Sequence, residues 1–404
     1  MGKIEIDHTG SGGGITLSSD GTSLLLGGTA IGGSALELYA ENPSTPTTPI
    51  ATGANDVAIG TQAEATGGAA IALGYDAVAS GNLSLAINAA TASNTASIAI
   101  GQQAVASGSS SLALGYGTDA TGGFSTAVGR NAQATSTSSN AFGRDAVSAG
   151  SQSTAIGDAY ASGSDSFAAA IANNTSSYGA TGANSIAMGY QAKATAQYAV
   201  SMGRDGTASG THSTVLGGYA NTANANHSHV IGGFLSTTDS KQYATVIGPY
   251  AKAKAEMSFT FGSNALGTGV GNVQKSMYPL FADTTDATAT VLTTNNSTAG
   301  SSNQVNVGSN FAVAFSGLIV AREQASGGTD CAAWEVKGLL VQASANSTVT
   351  LVNSAITVID NTPGWAIALS ADTTNGCLSI TGTGAASTNI RWFATIETAD
   401  LNYS

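Results

Sequence analysis

Charge is what this sequence has least of. Only 9% of its 404 residues are Asp, Glu, Lys or Arg, against about a quarter in an ordinary globular chain. The few charges lean acidic: 24 carboxylates against 12 Lys and Arg give a net charge of −12. No Lys/Arg-rich run occurs, which counts against a nucleic-acid partner, because neutralising phosphates takes clustered cations. Aromatic residues make up 6%, and much of the 42% hydrophobic share is alanine, so a large conventional core is not expected over most of the length. No apolar run reaches eighteen residues, so no transmembrane helix and no membrane insertion are expected. The opening MGKIEIDHTG (1–10) lacks the apolar stretch of a secretory signal. Two cysteines, Cys331 and Cys377, do not make a disulfide framework. They could pair if neighbouring strands bring them together; free buried thiols are the expected state of a protein maturing in a reducing cytoplasm.

Catalytic signatures are missing as well. There is no G-x-S-x-G, H-E-x-x-H, P-loop or C-x-x-C. GTGVGN (267–272) reads as a flexible turn rather than a phosphate cradle. No enzyme activity and no cofactor are expected from these absences.

Glycine is abundant, with 52 residues, and it falls at regular intervals. Apolar pulses end at Gly60, Gly74, Asn88, Gly101, Gly115, Gly129, Gly143 and Gly157, then at Ala172, Gly189, Gly203, Gly217, Gly232, Gly248 and Gly262. The usual spacing is 14 residues; it lengthens at 172–189 and 217–248, where surface loops are expected. The residue before each anchor is large (Ile59, Leu73, Ile100, Leu114), as is often the residue two before that (Ile71, Leu85, Ile98, Leu112). The positions between them are mostly Ala and Ser. That period of two marks a short strand with a large face and a small face. The anchor Gly then permits a positive φ or a close backbone approach. A second short pulse follows, such as AEATG (63–67) or AVASG (104–108). Two strands and two turns per repeat make one coil of a β-solenoid; fourteen residues are too few for a helical repeat. Stacked at about 4.7–4.9 Å, fifteen coils would extend roughly 70 Å.

The pattern S-x-A-[IVLM]-G-x-x-A-x-A-x-G, recurring over residues 55–262, resembles the head repeat of YadA-type trimeric autotransporter adhesins. The resemblance implies a left-handed parallel β-roll and a homotrimer. Physical reasoning points the same way, since a thin coil encloses little and trimerisation would bury one face of every coil.

The flanking segments differ. Residues 1–40 read as a small β module, with ITLSSDGTSLLLGG (15–28) forming a hairpin around Asp20-Gly21; its opening is similar to the start of structural proteins of marine bacteriophages, and it is the expected virion anchor. Residues 41–54, with Pro43, Pro46 and Pro49, read as an extended linker. Residues 263–280 break the cadence and read as a neck. Residues 281–404 carry six strand-like runs separated by turn signals, including Asn375-Gly376, and hold all three tryptophans, Trp334, Trp365 and Trp392. This spacing indicates an antiparallel β-sandwich or jelly roll, similar to a terminal domain of phage tail and fibre proteins. The tryptophans could offer a glycan-binding surface, but core packing explains them more readily. The expected fold class is therefore all-β.

Two sets of polar residues invite chemistry. Asp76, Asp145 and Asp205 sit two residues after an anchor, where paired carboxylates could cleave a glycan; Gln62, Gln103 and Gln191 fill the same slot, so it reads as a solvated turn position. In NHSHVIG (226–232), His227 and His229 are expected to share the large face with Ile231, with His212 one coil earlier. On a three-fold axis, the pair from each chain could surround an axial transition metal. Such pairs resemble those in some trimeric phage fibres; the alternative is that they are exposed or packed singly.

The expected function is that of a structural bacteriophage fibre. It would be a homotrimer, assembled in the host cytoplasm and carried on the virion. Its N-terminal region would bind tail, neck or capsid proteins, and its terminal domain a glycan or protein of the host surface. A decoration fibre of the capsid without a receptor role, a bacterial trimeric surface adhesin and a polysaccharide-degrading tailspike are the alternatives. Against the adhesin stand the missing signal and the C-terminal ETADLNYS, which follows a sandwich-like domain rather than a coiled coil and membrane-anchor strands.

Overall fold

The computed structural model describes residues 47–169, 177–263, 269–325 and 329–402, together with the backbone of five short strands between residues 4 and 38. Among the described residues all regular structure is β, apart from one 3₁₀ turn at Asn346–Thr348. The chain divides into two compact units, Met1–Asp165 and Ser166–Ser404.

In the first unit, Ile4–Ile6, Ile15–Ser19, Leu24–Leu26 and Thr29–Ile31 form an antiparallel meander. The expected hairpin is present in the pairing of Leu17 with Leu26 and Ser19 with Leu24. Its Asp20-Gly21 turn lies outside the described residues, as do Pro43 and Pro46. The expected linker at 41–54 needs correction at its end. Ile50–Ala51 already pairs in parallel with Glu64–Ala65, so the solenoid begins before residue 55.

Each coil then contributes a three-residue strand and a two-residue strand. Each pairs in parallel with its equivalent one coil on, and the register is strict: Ile98 faces Leu112, Ala99 faces Ala113 and Ile100 faces Leu114. The backbone ladder follows, with Ile98 N–H donating to Ser111 O and Leu112 N–H to Ser125 O, both at 2.9 Å. The small face of the pulse lies inside. Ala99, Ala113 and Ala127 are fully buried, and Ala104 and Ala106 bury from the second strand. A coil this narrow has room for methyl groups, so the large residues must turn outward. The serines of the repeat close the turn. Ser97, Ser111, Ser139 and Ser153, all buried, donate to the carbonyl three residues back at 2.7 Å.

The two glycines of a repeat are needed for different reasons. Gly101 has φ +121, where side chains are strained, and Gly108 lies so close to the next coil that a Cβ there would sit 1.9 Å from Gly122 O. Asn88, in place of an anchor glycine, has φ +62, the left-handed conformation that Asn tolerates.

In the second unit the coils run from Phe167–Ala169 to Phe259–Gly262. Inward alanine gives way to Val215, Val230 and Val246, all fully buried. Gly206 makes the room for Val215: a Cβ on that glycine would lie 3.2 Å from the valine Cγ1. The lengthened spacing at 217–248 is divided between a strand irregularity and a turn at Asp239 and Ser240, which have φ +47 and +61. The strands Val200–Arg204 and Thr214–Tyr219 absorb an extra residue as a register shift between Met202 and Arg204, and Tyr219 bridges to Phe234. Residues 170–176, with Ala172, lie outside the described residues.

The expected neck at 263–280 is also corrected. Val273–Thr284 is a twelve-residue strand, antiparallel to Phe259–Gly262 and to Ile390–Asn402. It opens the C-terminal domain, which therefore begins before residue 281. One sheet runs in the order Val273–Thr284, Ile390–Asn402, Phe311–Glu323, Cys331–Gln342, Thr350–Asn361. Opposite it, Cys377–Thr383 pairs with Ala366–Asp372 along its length and with Thr290–Val291 and Val305–Asn306 on its other side. The core between these sheets includes Tyr278, Phe315, Ile380 and all three tryptophans. Trp334 stacks on Trp392 at 5.8 Å, and Trp392 Nε1 donates to Thr284 Oγ1 at 3.0 Å. The tryptophans are thus core residues and not a glycan platform. Both cysteines are free; Cys377 is buried as expected, whereas Cys331 is exposed.

Candidate functional site

Because alanine fills the coils, the outward face of the three-residue strands is a ladder of large apolar side chains. In the first unit Leu114, Phe142 and Ile156 are each about two-fifths exposed. In the second, Met188, Leu216, Ile231 and Phe261 are exposed to a similar degree. Parallel pairing in strict register stacks each of these above its equivalent, so the ladder is continuous within each unit. The C-terminal sheet has a comparable outer face in Leu318, Val320 and Phe393. Its last strand, Thr350–Asn361, is mostly exposed on both faces and ends the sheet, with Val352, Val358 and Ile359 each more than half exposed. Contiguous apolar surface of this kind marks an interface, and an edge strand without proline or lysine is open to pairing.

The turns between the strands hold a second set of columns. At one turn the side chain is carried at φ near +55 to +60 by Leu83, Phe124, Tyr198, His212, His227 and Tyr243. In the second unit this column becomes a ring stack. Tyr198 lies 4.7 Å from His212, His212 lies 4.7 Å from His227, and His227 lies 4.9 Å from Tyr243, all nearly parallel. The spacing is the coil repeat itself. A neighbouring column places the Arg204 guanidinium over Tyr190 and Tyr219, followed by Phe234 at 5.2 Å from Tyr219.

The histidines therefore do not share one strand face, and that expectation is corrected. His227 and His212 occupy the left-handed turn, with both faces of each ring covered by neighbours. His229 sits in the strand His229–Ile231, between Thr214 and Thr245 of adjacent coils. Burial, then the charge of His227, holds the His229 imidazole below its ordinary pKa of 6.5. Among the described residues of one chain, no group of three or more His, Cys, Asp or Glu is arranged to hold a metal ion.

Asp76, Asp145 and Asp205 also fall in turns, at φ +56, +57 and +56. Asp145 accepts a hydrogen bond from Asn131 Nδ2 at 2.9 Å and pairs with Arg144 at 3.1 Å; Asp205 pairs with Arg204 at 3.5 Å. Asp145 and Asp205 are thus solvated turn carboxylates with a cation or amide beside them. Of GTGVGN, residues 267–268 lie outside the described residues; Gly271 turns the chain at φ +83.

A buried ion pair was not foreseen. Lys254 Nζ lies 2.9 Å from Asp400 Oδ2, donates to Val307 O at 2.9 Å, and sits 3.6 Å above the Phe311 ring. Burial lowers the Lys254 pKa, and Asp400 works against that shift. Gln274 completes the cluster by donating to Asp400 Oδ2 at 3.3 Å. In the sequence, AKAKA (251–255) reads as solvated turn residues, and nothing local marks one lysine as buried.

Residues 51–77, 65–87, 92–118, 120–139 and 180–205 match a known family model. These coils match the YadA head domain repeat. The YadA-type match covers coils in both units. Two solved structures match the chain at low similarity. One is the tailspike protein gp49 from Acinetobacter baumannii bacteriophage Fri1, a capsular polysaccharide depolymerase, at 9% identity and a TM-score of 0.20 over 89% of this chain and 48% of that one. The other is the Acinetobacter baumannii phage AM24 tailspike protein, at 8% identity and a TM-score of 0.19 over 92% and 76%. This chain spans about half the length of the first. Likeness at these scores carries no conclusion about activity. No curated protein matches the chain in sequence.

Proposed function

We propose that the chain is the protomer of a homotrimeric attachment fibre of the bacteriophage type, with a structural and binding role rather than a catalytic one. The observation that carries this reading is the outward ladder of large apolar side chains within each unit, with Leu114, Phe142 and Ile156 in the first and Met188, Leu216 and Ile231 in the second, together with the apolar outer face of the C-terminal sheet. Three copies facing a common axis would cover it. The match to the YadA head repeat supports a trimeric adhesin-like protein. The sandwich that follows the coils, similar to terminal domains of phage tail and fibre proteins, favours a virion fibre over a cell-surface adhesin. The paired carboxylates needed for glycan hydrolysis are not brought together on the turns that hold Asp76, Asp145 and Asp205. Attachment would rest on number: three terminal domains per fibre raise avidity without a tight single site.

Light scattering on the full-length protein tests this. The expected mass is three chains, and Leu114→Asp combined with Ile156→Asp is expected to shift it toward single chains, because three carboxylates per level would be forced together. A wild-type protein that remains a single chain would overturn the proposal.

A further inference from the structure

In the second unit, the turns of the last coils and the C-terminal domain enclose a cavity of about 370 Å³, within the range of small-molecule sites. Three of the chain's twelve basic residues border it, in a chain of net charge −12. They are not equivalent. Lys254 forms the floor and is neutralised by Asp400. Lys252 pairs with Asp239 at 3.3 Å. The ammonium of Lys241 has no hydrogen-bond or ion-pair partner among the described residues. The cavity therefore carries one uncompensated positive charge.

The lining also includes three neutral polar side chains, Ser301, Asn306 and Ser309. Ser309 Oγ donates to Ser344 O at 3.1 Å, which leaves its oxygen able to accept. Asn306 Nδ2 donates to Ser301 O at 3.2 Å and to Cys377 Sγ at 3.6 Å, and its amide oxygen accepts no hydrogen bond among the described residues. The Ser301 hydroxyl also makes no hydrogen bond among the described residues. One uncompensated cation in a cavity that is also lined by hydroxyl and amide groups suits a ligand with one negative charge and several hydroxyls. A phosphate or sulfate dianion suits it less, since one uncompensated lysine answers only one of its two charges and the cavity is several times larger than such an ion.

We propose that this cavity binds a sugar carboxylate of the hexuronic acid class, with Lys241 holding the carboxylate and Ser301, Asn306 and Ser309 holding ring hydroxyls. The proposal does not depend on the fibre reading; a chain that proved monomeric would still hold the cavity, since all of its walls come from one copy.

The test is calorimetric titration of the full-length protein with D-glucuronate, beside D-glucose as its neutral counterpart and sodium sulfate as a bare anion. Saturable binding of glucuronate is expected, with glucose and sulfate weaker by about tenfold or more. Lys241→Gln is expected to cost about tenfold in affinity while leaving the mass and circular dichroism unchanged. Lys193→Gln, on a distant coil, should bind as the wild type does. Absence of saturable glucuronate binding, equal binding of glucose or sulfate, or full binding by Lys241→Gln would overturn the assignment.

Discussion

At the scale of single residues, the repeat is a set of small groups whose sizes are fixed by the neighbouring coil. Serine illustrates how much of this is hydrogen bonding and how much is space. Ser111 Oγ donates to Gly108 O at 2.7 Å, whereas Ser84, equally buried at the equivalent position, has no partner for its hydroxyl. Ser111→Ala is therefore expected to cost about 1 kcal/mol, and Ser84→Ala to be neutral or stabilising, because it removes a buried unpaired hydroxyl. Urea denaturation of the two variants compares them directly; equal losses would mean that the turn bond contributes nothing. The sequence made the positions legible, since Ser, Ala and the anchor Gly recur in fixed slots. It did not reveal the histidine arrangement. A left-handed turn at His227 breaks the strand alternation that would have placed it beside His229.

Elements were legible where one coil predicts the next, and less so where the pattern changes partner. Val273–Thr284 escaped notice because its inward residues begin with Gln274, Ser276 and Tyr278, and so lack an apolar alternation. Pro279 adds to the disguise. It is tolerated because it falls in a gap on that edge, after the pairing with Phe259–Gly262 ends at Met277 and before Phe281 bridges to Thr293. The buried groups of this domain also set its response to pH. Burial, then the charge of Asp372, pushes the Cys377 thiol from its ordinary 9.0 up to about 12. The folded protein thus keeps a proton that the unfolded chain loses, and that contribution is complete below pH 9 and falls away as pH rises toward 12. Tyr278, raised by burial and by Asp400, acts in the same sense above pH 10. Lys254, lowered by burial, acts in the opposite sense. The urea midpoint of the wild type is expected to fall more steeply above pH 9 than that of Cys377→Ala. Parallel slopes would show that the thiol titrates alike in both states.

For the whole molecule, narrow coils and scarce charge act together on the outer face. Coils lined mostly by alanine leave their large side chains outside, and a chain with few charges has little else with which to cover that face. Association in the proposed trimer would then rest on apolar contact rather than on ion pairs. Exposed pairs such as Arg144–Asp145 and Lys275–Glu397 lie at the surface, where each is worth at most about 1 kcal/mol and is screened by salt. The mass of the assembly is therefore expected to be the same in dilute buffer and in about 1 M sodium chloride, where the Debye length falls to roughly 3 Å. Cooling should weaken it instead, because apolar association loses strength as temperature falls. Light scattering across both series separates the two origins. Dissociation by salt with no effect of cooling would place the contacts on charged groups and away from the ladder of Leu114, Phe142 and Ile156.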